Sequence, residues 1–321
     1  MTSQQLGQFY TTNYNYILSD IRCIDITNKN IIEPFVGNGD LLYWLKQDGI
    51  NINNIEIYDI DPKQNIKNIL PNINLTDIIQ DTLLNPPNYE NKFVITNPPY
   101  LAKNKSKLDN NKKLFNKYPH SDLYRIFIHQ IIRGNCHSGI IIIPLNFFSS
   151  LKKQDITLRK NFMKKYKIEK LNIFEEQVFD DTTYTVCSMK FIRSNIDMLL
   201  QKINVTFYPK KLNKNLIFED NKYWLLGGDI YTLGIQEKEY LIIKRIEYKH
   251  INTYNQEGYI LTNLFANLLD SGTQLGKIKL EYKKEPYIGK TTDRVFATII
   301  IKPLKIFNNT QSFLISKKIK L

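Results

Sequence analysis

The run Phe93-Val94-Ile95-Thr96 passes directly into Asn97-Pro98-Pro99-Tyr100, and no other stretch limits the fold as tightly. Its apolar and β-branched residues read as a buried strand. Two prolines stop that strand, since each fixes its own φ and pushes the preceding residue toward extended geometry. The strand therefore ends in a rigid, concave rim. The prolines supply no N–H donors, so the rim offers mainly carbonyl acceptors, to which Asn97 adds an amide and Tyr100 a flat ring. Acceptors converging beside an aromatic face suit a planar group bearing an exocyclic NH₂: an amino-purine, an amino-pyrimidine or an amide nitrogen.

The sequence around this rim alternates between two periodicities. Strands are expected at Ile31–Pro34, Asn54–Asp59, Lys92–Thr96, Ser138–Pro144, Ile168–Phe174 and Thr185–Arg193. Helical spacing is expected over Asp40–Gln47, Pro62–Leu70 and Asp122–Gly134. Alternation of this kind predicts an α/β fold whose mostly parallel sheet is covered on both faces, with the last two strands as an antiparallel hairpin at its edge. Residues 103–121, dense in Lys and Asn, read as a surface loop. Beyond about residue 200 the pattern changes to short strands (Asn204–Tyr208, Leu216–Glu219, Val295–Ile301, Ser312–Ile315) and one helix, Gln236–Tyr248. Two domains are expected, 1–198 and a smaller mixed α/β domain over 199–321.

Composition narrows the class. The chain has 321 residues, 42% hydrophobic and 12% aromatic, as in soluble globular proteins. Its longest purely apolar run, Ile140–Ile143, is too short to span a bilayer, and Met1–Gln5 lacks the order of a secretion signal. Cys23, Cys136 and Cys187 read as reduced cytosolic thiols, and a cytoplasmic location is expected. Cys136-His137 has no partners at zinc-site spacing, so no metal is expected. Net charge is +13; residues 201–321 carry 20 Lys and Arg against 11 Asp and Glu, a net of +9, and residues 1–200 the remaining +4. A charge so placed suggests a polyanionic partner, nucleic acid above all, although an AT-rich genome also enriches Lys, Asn and Ile.

A second signal lies upstream. Ile31-Ile32-Glu33-Pro34-Phe35-Val36-Gly37-Asn38-Gly39-Asp40 runs a strand into a Gly-x-Gly turn and a helix, where glycines allow close backbone approach to a ligand. Leu42 stands where a dinucleotide fingerprint would have its third glycine, which lowers the pyrophosphate reading. Next, Asp59 at a strand end can accept both hydroxyls of a ribose, and Asp81 after Ile78-Ile79-Gln80 can accept from an adenine amino group. Each aspartate alone also reads as a turn or helix-cap residue. Together, three such strand ends describe a pocket for an adenosine whose attached group is not a phosphate.

Gly7-Gln8-Phe9-Tyr10-Thr11-Thr12, Glu33-Pro34-Phe35-Val36-Gly37-Asn38-Gly39, Asp59, Asp81 and Asn97-Pro98-Pro99-Tyr100, in that order, resemble the gamma class of N6-adenine DNA methyltransferases of restriction–modification systems. The resemblance covers most of residues 6–195. It implies a Rossmann-like class I methyltransferase domain followed by a target-recognition domain, with S-adenosylmethionine as cofactor and double-stranded DNA as partner. It places Tyr10, Thr11 and Glu33 near the methionine part, Gly37 and Gly39 beneath it, Asp59 on the ribose and Asp81 on the adenine. Asn97 and Pro98 would accept from the target amino group, Tyr100 would stack on a flipped base, and Phe179 would pack opposite, with Tyr184 as a nearby competitor. The glycine motif departs from the class, which more often has small residues and a third glycine or serine there. A monomer is expected, and a cognate restriction endonuclease acting on the same site is a further expected partner.

In the basic half, Lys277, Lys283, Lys284, Lys290 and Arg294 interleave with Tyr282 and Tyr287 and are the candidates for DNA contact. Competing readings are cytosine-N4 or RNA methylation, protein-glutamine methylation and a non-catalytic DNA-binding subunit. The glutamine reading normally comes with a different amino-terminal helical domain and has little need of a basic carboxy-terminal half.

Overall fold

A computed structural model describes residues 11–22, 30–53, 55–61, 66–70, 78–106, 108–150, 152–179, 185–196 and 198–226, together with the backbone of four later strands. The chain divides into two compact units, Met1–Trp224 and Leu225–Leu321.

In the first unit a short helix α1 (Tyr14–Ile17) precedes β1 (Ile31–Glu33), α2 (Asp40–Gln47), β2 (Glu56–Ile57), β3 (Phe93–Thr96), α3 (Asp109–Lys117), α4 (Leu123–Arg133) and β4 (Ser138–Pro144). Then come α5 (Asn146–Ser149), α6 (Lys153–Lys165), β5 (Tyr166–Phe174), β6 (Val186–Arg193), β7 (Leu200–Tyr208) and β8 (Leu212–Glu219). The sheet order is β2-β1-β3-β4-β6-β5-β7-β8. Every residue of β1, β3 and β4 is buried, as expected of central parallel strands packed on both faces. At the far edge β8 places Asn213 and Asn215 in solvent beside the exposed Leu212 and Ile217.

Two expectations change here. The β5–β6 hairpin is antiparallel, but it is not at the edge, because β7 and β8 extend the sheet beyond β5. Residues expected to begin the second domain continue the sheet: β7 pairs in parallel with β5 and β8 antiparallel with β7. The expected boundary at 198 thus falls inside the first unit, whose core includes Ile203, Val205, Phe207, Phe218 and Trp224. Residues 103–121 also hold a helix, α3, where a loop was expected; Asn111, Leu114 and Phe115 recur at helical spacing and are buried.

In the second unit a four-stranded antiparallel sheet has the order β11-β10-β12-β9, with β9 Leu241–Lys244, β10 Ile260–Phe265, β11 Glu281–Lys283 and β12 Val295–Ile301. The expected β12 is present. The expected helix Gln236–Tyr248 is not, since Leu241-Ile242-Ile243 pair with Ile301-Ile300-Ile299 of β12 and β-branched residues favour that pleated partner. Ser312–Ile315 lies outside the described residues.

Candidate functional site

The carboxyl ends of β1, β2 and β3 are adjacent, and each delivers one of the motifs read from the sequence. After β1 the chain turns through Gly37 (φ 52°) and Gly39 (φ 81°), both left-handed, a conformation that glycine adopts without a Cβ penalty. Gly39 has a second reason to be glycine: a Cβ there would lie 2.4 Å from Ile69 Cδ1. The turn launches α2, whose Leu41, Leu42, Trp44 and Leu45 face the core.

This turn is tied to its neighbours. The Gly37 N–H donates to Asp59 Oδ2 at 2.8 Å and the Asp61 N–H to Asp59 Oδ1 at 2.8 Å. Asp59 joins Ile79 in an isolated parallel bridge, which carries the chain to Asp81. There, Asp81 Oδ1 accepts the N–H groups of Leu83 and Leu84, each at 3.1 Å, while the Thr82 hydroxyl donates to the Pro34 carbonyl at 2.9 Å. Glu33 at the end of β1, Asp59 just past β2 and Asp81 just past the Ile79 bridge therefore share one edge.

All three carboxyls have pKa values raised by burial. For Asp59 the N–H groups of Asp61 and Gly37 partly offset that rise, and for Asp81 those of Leu84 and Leu83 do so. Glu33 is 1% exposed; burial holds it well above the usual range, the Thr96 hydroxyl and Phe35 N–H lower it, and Asp59 raises it further. Its Oε2 is buried with no hydrogen-bond partner among the described residues.

The tetrapeptide follows β3 at the same edge. Thr11 is buried and accepts a hydrogen bond from Asn97 Nδ2 at 3.1 Å. The Thr11 N–H also lowers the burial-raised pKa of Asp40 at the start of α2, so Thr11 links the glycine turn to the rim. Asn97 Oδ1 accepts the Tyr100 hydroxyl at 2.5 Å, and that hydroxyl also lies 2.8 Å from the Ile142 carbonyl on β4. Thr11 and Tyr100 thus hold the Asn97 amide from its two ends.

Tyr100 does not sit as the stacking reading expects. Its ring is 3% exposed and meets Tyr124 edge-on at 6.1 Å between centroids. The cause is its hydroxyl, which has acceptors only inward, and burial raises its pKa well above the ordinary value. Phe179 is likewise buried, at 4% exposure. The Asn13 amide donates to the Val178 carbonyl at 2.8 Å, so the Phe179 segment joins the same amino-terminal stretch that holds Asn97.

Several partners escaped the sequence reading. Asn13 carried no motif, Asp40 closed the glycine motif without being assigned a partner, and the Ile142 carbonyl carries no sequence signal at all. The Tyr124 hydroxyl donates to Asn146 Oδ1 just past β4, where the i, i+4 spacing of α4 marked only core positions. Tyr10, Tyr184, Lys277, Lys284, Lys290 and Arg294 lie outside the described residues, and Lys283 is placed only by its backbone on β11.

A sheet in this order, with a glycine turn and successive acids at its carboxyl edge, has the Rossmann-like fold of class I methyltransferases. Residues 26–179 match the model of the Eco57I restriction-modification methylase family. A comparison with curated protein sequences returns no match. Among solved structures, a modification subunit assigned to a type I restriction enzyme from Vibrio vulnificus YJ016 is 13% identical, over 87% of this chain and 60% of its own, at a TM-score of 0.44. A protein assigned as a class I S-adenosylmethionine-dependent methyltransferase from Listeria monocytogenes is 15% identical, over 64% of this chain and 65% of its own, at 0.39. The methyltransferase subunit of a type I restriction-modification system from Streptococcus thermophilus is 14% identical, over 67% and 49%, at 0.43. The chain spans less than two thirds of each of these proteins.

S-adenosylmethionine is the cofactor of such a methylase, and the residues present fit it. Carboxyl groups hydrogen-bond ribose hydroxyls and amino groups, and an ionised Asp59 or Asp81 at this edge would repel a phosphate. Glu33 Oε2, buried with no partner among the described residues, leaves one polar atom for a ligand to meet.

Proposed function

We propose that this chain transfers a methyl group from S-adenosylmethionine to the exocyclic N6 of an adenine flipped out of a specific double-stranded DNA sequence. The observation that carries this reading is the Asn97 amide, held between Thr11 and Tyr100 at the edge where Gly37, Asp59 and Asp81 would hold an adenosine. An amide oxygen accepts two hydrogen bonds, and Tyr100 takes up one direction of Oδ1.

An amino nitrogen conjugated to a purine is a poor nucleophile, because its lone pair is delocalised into the ring. If Asn97 Oδ1 and the Pro98 carbonyl accept its two hydrogens, the nitrogen is favoured in a tetrahedral form with its lone pair outside the ring plane. S-adenosylmethionine supplies the electrophilic sulfonium methyl. The residues of the rim supply positioning and electrostatic preorganisation, without a general base. Extruding the base costs a few kcal/mol. Contacts from Phe179 and Tyr100 would return on the order of 1–3 kcal/mol each, the latter once its ring is uncovered.

The test is transfer of a labelled methyl group to duplex DNA, RNA and protein in parallel, followed by mapping of the modified base. Asn97→Ala is expected to lower transfer by at least 100-fold, by analogy with the loss of one preorganised donor or acceptor, while S-adenosylmethionine still binds. Label on cytosine-N4, RNA or glutamine instead of adenine would assign the rim to that substrate, and full activity in Asn97→Ala would refute its role.

A further inference from the structure

Residues 103–117 carry six lysines against one aspartate, and the fold gives this charge a definite place. The chain leaves the rim at Leu101 and returns at Ser121–Leu123, and its two ends are fastened together. The Leu123 N–H donates to the Leu101 carbonyl at 3.2 Å, the Lys103 N–H donates to the Ser121 carbonyl at 3.0 Å, and Ala102 bridges Asp122. The base of this excursion is thus within a few residues of Asn97. Its helix, α3, buries Asn111, Leu114 and Phe115 and leaves Lys112, Lys113 and Lys117 exposed. Lys103 and Lys105, on the preceding turn, are exposed as well.

The single acid does little to neutralise the group. Asp109 pairs with Lys112 at 2.8 Å on an exposed face, a pairing worth little in water. Lys113 and Lys117, one turn apart on the same side, repel each other at a cost of a few tenths of a kcal/mol to α3. Helix α3 extends roughly 13 Å at 1.5 Å per residue, and duplex DNA presents a negative charge about every 1.7 Å of axis. Three cations on a helix of that length, with Lys103 and Lys105 on the turn before it, suit a lattice of phosphates better than any single anion.

The geometry points to the excursion 103–117 as a docking surface for the phosphate backbone of duplex DNA, placed on the catalytic unit beside the target-base rim. It rests on the DNA-methylation reading above and is separate from the expected contacts over residues 273–294. Lysines reaching phosphates add affinity and register and read no bases, so this surface holds any duplex at the rim, whatever its sequence.

The experiment measures the salt dependence of binding to a fluorescent 30-base-pair duplex and, beside it, methyl transfer. The full chain is compared with Lys103→Gln/Lys105→Gln/Lys113→Gln/Lys117→Gln. A control carries Lys46→Gln/Lys164→Gln/Lys167→Gln/Lys202→Gln, an equal charge change at exposed positions toward the opposite edge of the sheet. The first variant is expected to lose about 3–4 from the slope of log K against log salt and at least tenfold in affinity near 0.1 M salt; the control keeps most of both. Equal slopes for the first variant and the unmodified chain overturn the inference, as do equal losses in the two variants. If the quadruple change impairs folding, Lys103→Gln/Lys105→Gln, outside α3, is expected to lose about 2 from the slope. An unmodified chain that neither binds nor methylates DNA would overturn the function itself, an outcome distinct from an unmodified chain that does both with no part played by 103–117.

Discussion

The two roles proposed for Tyr100, stacking and positioning of Asn97, make opposite demands on its hydroxyl. If the ring face alone matters, phenylalanine serves as well. In the structure the hydroxyl lies 2.5 Å from Asn97 Oδ1 and 2.8 Å from the Ile142 carbonyl; its single proton is shared between them, and either contact holds the ring inward. Tyr100→Phe is therefore expected to lower the methyl-transfer rate about tenfold, the equivalent of one net hydrogen bond of about 1–1.5 kcal/mol, with the affinity for S-adenosylmethionine unchanged. An unaltered single-turnover rate would remove the positioning role and leave stacking alone. Residue identities at the rim were legible in the sequence, because the prolines and the buried run are local signals. The direction of the ring was not, since it depends on a carbonyl 42 positions away that no side-chain pattern marks.

At the scale of elements, the start of α4 joins two buried groups that respond to acid in opposite senses. Asp122, its N-terminal flanking residue, is fully buried; burial raises its pKa to about 6, against the pull of Arg125 and of the Tyr124, Leu101 and Leu123 N–H groups. The folded state thus favours the protonated acid, and this contribution to stability is present below about pH 4 and lost as pH rises through 6. His120 is buried with Nε2 3.1 Å from His129 Nδ1, and burial, then His129 and Arg125, lower its pKa to about 4. Its contribution is present above about pH 6.5 and lost as pH falls through 4. Urea unfolding of Asp122→Asn is expected to show stability rising relative to the unmodified chain by roughly 2–3 kcal/mol between pH 4 and 6.5, with His120→Gln changing in the opposite direction. Curves parallel to the unmodified chain would mean that neither group titrates as its surroundings dictate. Elements like α4 and α2 were readable because apolar spacing and flanking Gly134 or Gly39 are contiguous signals. For β9 the same run of Leu and Ile fitted a helix, and only its pairing with β12 decides between the two.

For the whole molecule, composition and topology place the division of the chain differently. The charge and patterning of the sequence shift near residue 200, yet β7 and β8 complete the first sheet, and Trp224 closes it. Trp224 is fully buried with Nε1 3.0 Å from Asp220 Oδ1, and the Arg159 side chain donates to the Tyr223 carbonyl at 2.7 Å. A strand's membership in a sheet depends on a partner distant in sequence, here β5 at Lys170–Phe174, so a local change in composition could not locate the boundary. The two candidate ends differ sharply in energy. Ending the chain at 198 removes the buried side chains of Ile203, Val205, Phe207, Tyr208, Phe218 and Trp224. At about 1.5–3 kcal/mol for each, the loss is on the order of 10 kcal/mol, comparable with the whole stability of a domain. It also bares β5 as a new edge, open to pairing with other chains. A fragment of residues 1–224 is expected to melt cooperatively and bind S-adenosylmethionine, whereas residues 1–198 aggregate or remain unfolded under the same conditions. Circular dichroism melts and cofactor titration of the two fragments decide the matter: a stable, cofactor-binding 1–198 would show that β7 and β8 are appendages of the catalytic sheet, and an unfolded 1–224 would show that the first unit depends on the residues beyond it.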